Sequence, residues 1–278
     1  MYLLSSMAAD IATYLGVPIG LWISFRIVGY PDLSLESLFV FGGVIYATAV
    51  GGNNLLMPLF FGLASVAIGF GASVLRNRVG VHPILISLAA GYLFYSVSLL
   101  MLGGPNRYFG LGASRPDEFV TASVALEVFV TAVIVMSLGL RTSVGLRILA
   151  SGSNPELARR QGFSPTVWQG VALSVSFLLV MISGALFAWR TGSIDISHGS
   201  GLLLIAIFVV VLTRALQSRV RLAANAAVLT LSLAGYLIIL QAALRLGMPA
   251  QWLRGVNAAA LLLLVVLLPK KTGQILKL

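Results

Sequence analysis

The sequence predicts an all-α fold, a polytopic transmembrane helical bundle of about nine helices, eight to ten at the limits. Hydrophobic residues fill 59% of the 278 positions and charged residues 9%, whereas a soluble domain carries about 25% charged residues. Mean hydropathy is +1.00. The apolar residues also fall into runs near the roughly 20 residues that a helix needs to cross the hydrocarbon of a bilayer. Such apolarity excludes a disordered or collagen-like chain, and zero cysteines exclude thiol redox chemistry and cysteine metal sites.

The runs extend from Ile11 to Gly29, Leu38 to Val50, Leu55 to Leu75, Pro83 to Gly103, Phe119 to Leu140, Val167 to Trp189, Leu202 to Thr213, Leu222 to Leu244 and Trp252 to Leu268. The first has neither the cationic start nor the A-x-A-like site of a removable signal, so it is expected to insert the chain itself. If successive connections alternate sides, thirteen of the 18 basic residues fall on one side, among them Arg76, Arg159 and Lys270. The other side holds Arg107, Arg115, Arg190, Arg245 and Arg254. The richer side is the cytoplasmic one by the positive-inside rule, which also accounts for the net charge of +10 without nucleic acid.

Two runs, Leu38 to Val50 and Leu202 to Thr213, are short, and a polar stretch precedes each. Asp32, Leu33, Ser34, Leu35, Glu36 and Ser37 match Asp195, Ile196, Ser197, His198, Gly199 and Ser200 in the form Asp, aliphatic, Ser, two residues, Ser. The stretches precede the second and seventh runs. An offset of five crossings reverses direction, so the pattern predicts an inverted-topology repeat with broken helices: half-repeats near 1–118 and 167–278 in a single 1–278 domain, separated by a fifth helix over 119–140 and a connector over 141–166. Paired interrupted segments point to a transporter's pathway, because unwound backbone at depth is tolerated only where it lines a cavity or is buried in protein. Asp32, Ser34, Glu36, Ser37, Asp195, Ser197, His198 and Ser200 are the expected pathway residues. The serines can cap the following helices and turn their positive ends toward an anionic group. The carboxylates would instead favour a cationic one. Each stretch alone reads more readily as an Asp and a Ser capping a helix at the interface; the pairing, the shortness and the odd offset shift the reading to the pathway.

The connector carries start and stop signals of a helix about two turns long. Asn154 suits the N-cap, Pro155 the first position and Glu156 the positive end. Leu157 and Ala158 follow, Arg159 and Arg160 suit the negative end, and Gly162 can take the left-handed stop. An isolated helix so short is marginal in water, so it is expected to dock on a partner, on the membrane surface or on its own bundle.

Other chemistry is missing. No G-x-x-x-x-G-K-S/T loop occurs, so ATP would have to be hydrolysed by another subunit. His82 and His198 are the two histidines and lack metal-ligand spacing, so no metal site and no cofactor is expected. His82 reads as a helix start. Glu127, inside the fifth run, is an intramembrane carboxylate and hence a functional candidate.

At these residues the chain resembles the inner-membrane permeases of ABC importers for branched-chain amino acids, simple sugars and related solutes. Residues 31–39, Pro-Asp-Leu-Ser-Leu-Glu-Ser-Leu-Phe, look like the P-D-L-S/T-x-x-G-S-F stretch of the subgroup linked to tryptophan and other small-solute uptake. Leu102 to Asn106 is similar to an M-G-R-P-N segment, and Asn154 to Phe163 resembles the N-x-x-x-A-R-x-x-G-I/V loop that forms the coupling helix in such permeases. Glu36 stands where glycine is common, and Thr213-Arg214-Ala215-Leu216 where G-E-A-L is frequent. The resemblance implies a non-enzymatic permease of a bacterial inner membrane, working as a dimer with cytoplasmic ABC ATPase subunits and an extracytoplasmic substrate-binding protein. An ion-coupled secondary transporter, with Glu127, Asp32 or Asp195 carrying a proton, is the alternative.

Overall fold

Helix α8 (Pro165–Thr191) is the post against which the neighbouring helices pack. Its 27 residues reach roughly 40 Å, and most of that length is buried. The computed structural model describes residues 2–50, 57–109, 142–216, 222–245 and 252–267, with positions 123, 124, 127, 130, 247 and 249. Before α8 come α1 (Tyr2–Tyr14), α2 (Gly16–Ile23), a π-helical turn (Ser24–Val28), α3 (Leu35–Val50), α4 (Met57–Val74), a second π-helical turn (Leu75–Val79) and α5 (Pro83–Leu102). Strand β1 (Asn106–Tyr108), α6 (Ser143–Ser153) and α7 (Pro155–Arg160) follow. After α8 come β2 (Ser193–Asp195), a 3-10 turn (Ile196–Gly199), α9 (Leu202–Leu216), α10 (Leu222–Arg245) and α11 (Leu253–Leu267).

The chain is an all-α polytopic membrane protein. Among the described residues, four stretches are long and apolar enough to cross a bilayer: Leu59–Val79, Pro83–Leu102, Pro165–Thr191 and Ile196–Arg214. Large apolar side chains such as Leu63 on α4 and Leu85, Tyr92 and Leu100 on α5 are exposed, as expected where the surrounding solvent is lipid. The described runs recur with shifts of a few residues at their ends, except the first, which begins nine residues earlier than predicted, at Tyr2, and breaks at Leu15 into α1 and α2. The fifth lies largely outside the described residues; within it Ser123, Val124, Glu127 and Val130 are helical, and Glu127 is exposed. Helix α6 was not predicted, although Thr142 caps it by accepting from the Gly145 N–H at 3.4 Å.

Small residues let α8 draw its neighbours close. A Cβ on Gly184 would collide with the carbonyl of Phe39, and one on Gly42 with the Met181 carbonyl, so α3 and α8 cross backbone to backbone. On α4, a Cβ at Gly69 would lie 2.5 Å from both Ser174 N and Ser174 Oγ. Hydroxyls fill the remaining polar positions: Ser176 Oγ donates to the Gly20 carbonyl at 2.8 Å, and Ser183 Oγ accepts from the Gly16 N–H at 3.1 Å, where α1 breaks into α2.

The two ends of the bundle differ. At one end α4's π turn, α6 and α7 surround the start of α8; Ser73 Oγ donates to the Thr166 carbonyl at 2.7 Å. At the other end β1 and β2 form an antiparallel ribbon pairing Asn106 with Asp195, and Arg190 of α8 makes an ion pair with Asp10 of α1. Helix α3 begins between these ends, since a Cβ on Gly91, midway along α5, would lie 3.7 Å from Ser34 Cα and Ser37 Oγ.

The crossing makes a direct prediction. Gly184→Ala should destabilise the protein by about 1–3 kcal/mol through overpacking, whereas Gly62→Ala, where a Cβ meets nothing within 4 Å, should be neutral or mildly stabilising. Thermal unfolding of the two variants in one detergent reads the difference, and equal midpoints would show that the helices do not meet at Gly184.

Candidate functional site

The first polar stretch folds as a tight turn between the π turn and α3. Gly29, at φ +94°, closes the π turn in the left-handed region, which an L side chain would resist. Asp32 Oδ1 then accepts from the Ser34 N–H at 2.8 Å and from Ser34 Oγ at 2.5 Å. Asp32 is only 2% exposed, and those two donors are its compensation for burial. The Ser34 hydroxyl is therefore spent on Asp32 and does not cap α3, as the sequence had suggested; the carbonyl of Ser34 opens the helix by accepting from the Leu38 N–H at 2.9 Å.

The second stretch repeats the turn. Asp195 Oδ1 accepts from the Ser197 N–H at 2.6 Å, and the Asp195 N–H donates to His198 Nδ1 at 3.0 Å. That bond assigns the His198 proton to Nε2, and the ring lies edge-on to Phe187 with centroids 4.9 Å apart. Hydrogen bonding from Ser197 holds the Asp195 carboxyl below the usual carboxylate range. Ser197 and Ser200 are exposed, Asp195 and His198 half-buried.

The stretches meet at the start of α9. Glu36 Oε1 accepts from the Gly201 N–H at 2.9 Å and the Leu203 N–H at 3.0 Å, so a carboxylate from α3 caps α9. Ser200 does not cap it. Gly199 faces the Glu36 carbonyl so closely that a Cβ would collide with it. A glycine at 36, common in the resembling permeases, would leave those N–H groups to other partners. Ser37 is half-buried and turned toward α5. Two apolar cavities, about 340 and 420 Å³, flank α3; Ile45 lines one and Tyr46 the other, and neither is lined by a residue of the two stretches.

The connector forms the short helix that its sequence predicts. Asn154 Oδ1 accepts from the Leu157 N–H at 3.0 Å, Pro155 opens α7 with Glu156 in its first turn, and Gly162 ends it at φ +82°. Ala158 is buried, while Leu157 and Arg160 are exposed. Arg159 turns back into its own chain, where Nη2 donates to the Asn77 carbonyl at 3.1 Å. Beneath it, Asn77 Nδ2 donates to Gln169 Oε1 at 2.9 Å, and Gln169 Nε2 donates to the Ser151 carbonyl at 2.6 Å. Arg147 lies 5.0 Å from the Phe163 ring centroid and fastens α6 to the end of the connector. At the G-E-A-L position, Arg214 stacks over Phe25 at 4.2 Å.

The family described as "branched-chain amino acid transport system / permease component" matches residues 3–268. The chain belongs to this family. It is thus a transport permease component by family, the family that its motifs resemble. Among curated relatives, it is 25% identical over 202 residues to the uncharacterized protein RP368 of Rickettsia prowazekii (strain Madrid E), covering 70% of this chain and 71% of that one. It is 24% identical over 194 residues to a tyrosine transport system permease protein of Clostridioides difficile (strain R20291), covering 68% and 65%. With the fructose import permease protein FruF of Bifidobacterium longum (strain NCC 2705) it shares 26% identity over 220 residues, covering 75% and 62%. The chain thus spans less than two thirds of the tyrosine and fructose permeases it matches. No solved structure matches the chain.

Sequence reasoning placed Glu36 and Gly199 in the same paired motifs of the permease without seeing that they touch. It missed Asn77 and Gln169 as members of a network, since nothing in local spacing relates residues 92 positions apart. Removing the cap in Glu36→Ala should cost about 1–2 kcal/mol, the usual worth of an N-cap, and Glu36→Gln, which keeps an acceptor, should cost less. Unfolding midpoints in detergent check this; an unchanged midpoint for the alanine variant would show that Glu36 does not hold α9.

Proposed function

We propose that this permease is the membrane subunit of an ABC importer that admits an amino acid or another small organic solute handed over by an extracytoplasmic binding protein. It sits in a bacterial inner membrane as a homodimer bound to two cytoplasmic ATPases, performs no covalent chemistry and has no metal or cofactor. The observation that carries the reading is α7. A helix of six residues, capped at both ends, presents Leu157 and Arg160 outward while Ala158 and Arg159 hold it to the bundle, as a contact that must transmit force requires. The family membership and the relatives' transport roles support the same reading.

The pathway runs past Asp32, Ser34, Glu36, Ser37, Asp195, Ser197, His198 and Ser200. Its support is the convergence of two Asp-x-Ser turns of one geometry at the Glu36 contact, with α3 beginning inside the bundle. The matching turns also support an inverted repeat with halves near 1–118 and 167–278. With Glu36 already on the positive end of α9, an incoming carboxylate finds that end occupied. Ionised Asp195 beside exposed Ser197 and Ser200 offers acceptors instead, which suits an ammonium group.

The test is biochemical. Purified from its native host in mild detergent, the chain should bring down a nucleotide-hydrolysing subunit, and Arg160→Glu should reduce that capture at least tenfold while leaving insertion unchanged. In liposomes the complete complex should take up a member of a radiolabelled amino-acid panel only with ATP and binding protein. Uptake by this chain alone under an ion gradient would overturn the assignment.

A further inference from the structure

Two π-helical turns, Ser24–Val28 and Leu75–Val79, end in left-handed glycines, Gly29 at φ +94° and Gly80 at φ +79°. One side chain joins them. Arg76, on the second turn, donates from Nη1 to the carbonyl of Val28 at 2.9 Å and lays its guanidinium 4.9 Å from the ring centroid of Tyr30. Tyr30 is 5% exposed, and its hydroxyl finds no hydrogen-bond partner among the described residues. A buried phenol oxygen without a partner carries an uncompensated desolvation cost. The next residue in the same turn holds the Arg159 guanidinium on its carbonyl, since Asn77 O accepts from Arg159 at 3.1 Å. Two residues beyond Tyr30 lies Asp32, the start of the first polar stretch.

We infer that Arg76 is a positioning residue that relays movement of the connector helix to the first polar stretch through Tyr30. The inference rests on the ATPase-coupled reading above. Each link is a named contact: α7 to the second π turn through Arg159 and Asn77, that turn to Val28 and Tyr30 through Arg76, and Tyr30 through Pro31 to the Asp32 turn, whose helix α3 carries the Glu36 cap of α9. A π turn holds one residue more than the α-helical repeat, and such turns recur at functional sites. Tyr30 is the side chain that would register the shift: its hydroxyl has no hydrogen-bond partner among the described residues, so no bond of its own holds it against movement of the turn.

The relay is tested in the purified complex with its ATPases in lipid nanodiscs. The chain has no cysteine, so Ser200→Cys on the second polar stretch gives a single thiol, and its maleimide labelling rate is compared with and without ATP plus vanadate. In the parent the nucleotide should change that rate. Arg76→Gln should shrink the change about tenfold while ATP hydrolysis and subunit assembly stay within about twofold, and Arg76→Lys, which keeps a cationic donor, should fall between. Tyr30→Leu reads the same ratio should Arg76→Gln assemble poorly. An undiminished nucleotide response in Arg76→Gln or Tyr30→Leu overturns the relay, as does a loss that only tracks loss of assembly. A parent complex whose labelling ignores nucleotide overturns the ATPase-coupled reading and the relay with it.

Discussion

The first N–H groups of a helix have no partner within the helix and must find one elsewhere. At the start of α9, next to exposed Ser200, the Glu36 carboxylate from α3 answers two of them. For that carboxylate to reach α9, the second stretch lies against the start of α3, and residue 199 has to be small where it meets the Glu36 carbonyl. The tight turns at Asp32 and Asp195, each closed by its own local hydrogen bonds, lead into the two helices joined in this way. Where the resembling permeases commonly have glycine, this chain meets those N–H groups with the Glu36 side chain.

Helix α8 makes the arrangement rigid. Its contacts with α2, α3 and α4 are made at glycines and serines, so the helix backbones pack at close range. Apolar side chains cannot drive helices together inside lipid, which is as apolar as they are, so close packing and interhelical hydrogen bonds must do so. The Ser176–Gly20 and Ser183–Gly16 bonds are of that kind. Gln169 and Thr166, in the first turns of α8, are bonded to the elements that carry the connector helix.

The division of the two arginines of α7 shows how tertiary contacts sort residues that sequence treats alike. Both were expected at the negative end of the helix. Both are exposed, but Arg159 donates to the Asn77 carbonyl while Arg160 makes no such bond among the described residues. Composition and capping rules place both charges on the helix but carry no information on which neighbour lies beneath it.

Much of the fold was legible in one dimension because lipid imposes a length and an apolarity on each crossing, and those are properties of contiguous residues. The runs and the capped helix Asn154 to Gly162 follow from such local rules, as does the resemblance of the Asp32 and Asp195 turns, each closed by hydrogen bonds within two or three residues. Contacts across the chain were not legible. The capping of α9 by Glu36, 165 positions from Gly201, and the Asn77–Gln169 bond, 92 positions apart, depend on how helices cross. Local chemistry determined which backbone groups would need partners; only the packing of α3, α4 and α8 decided which side chains arrived to supply them, because that is set by distances in space that sequence separation does not encode.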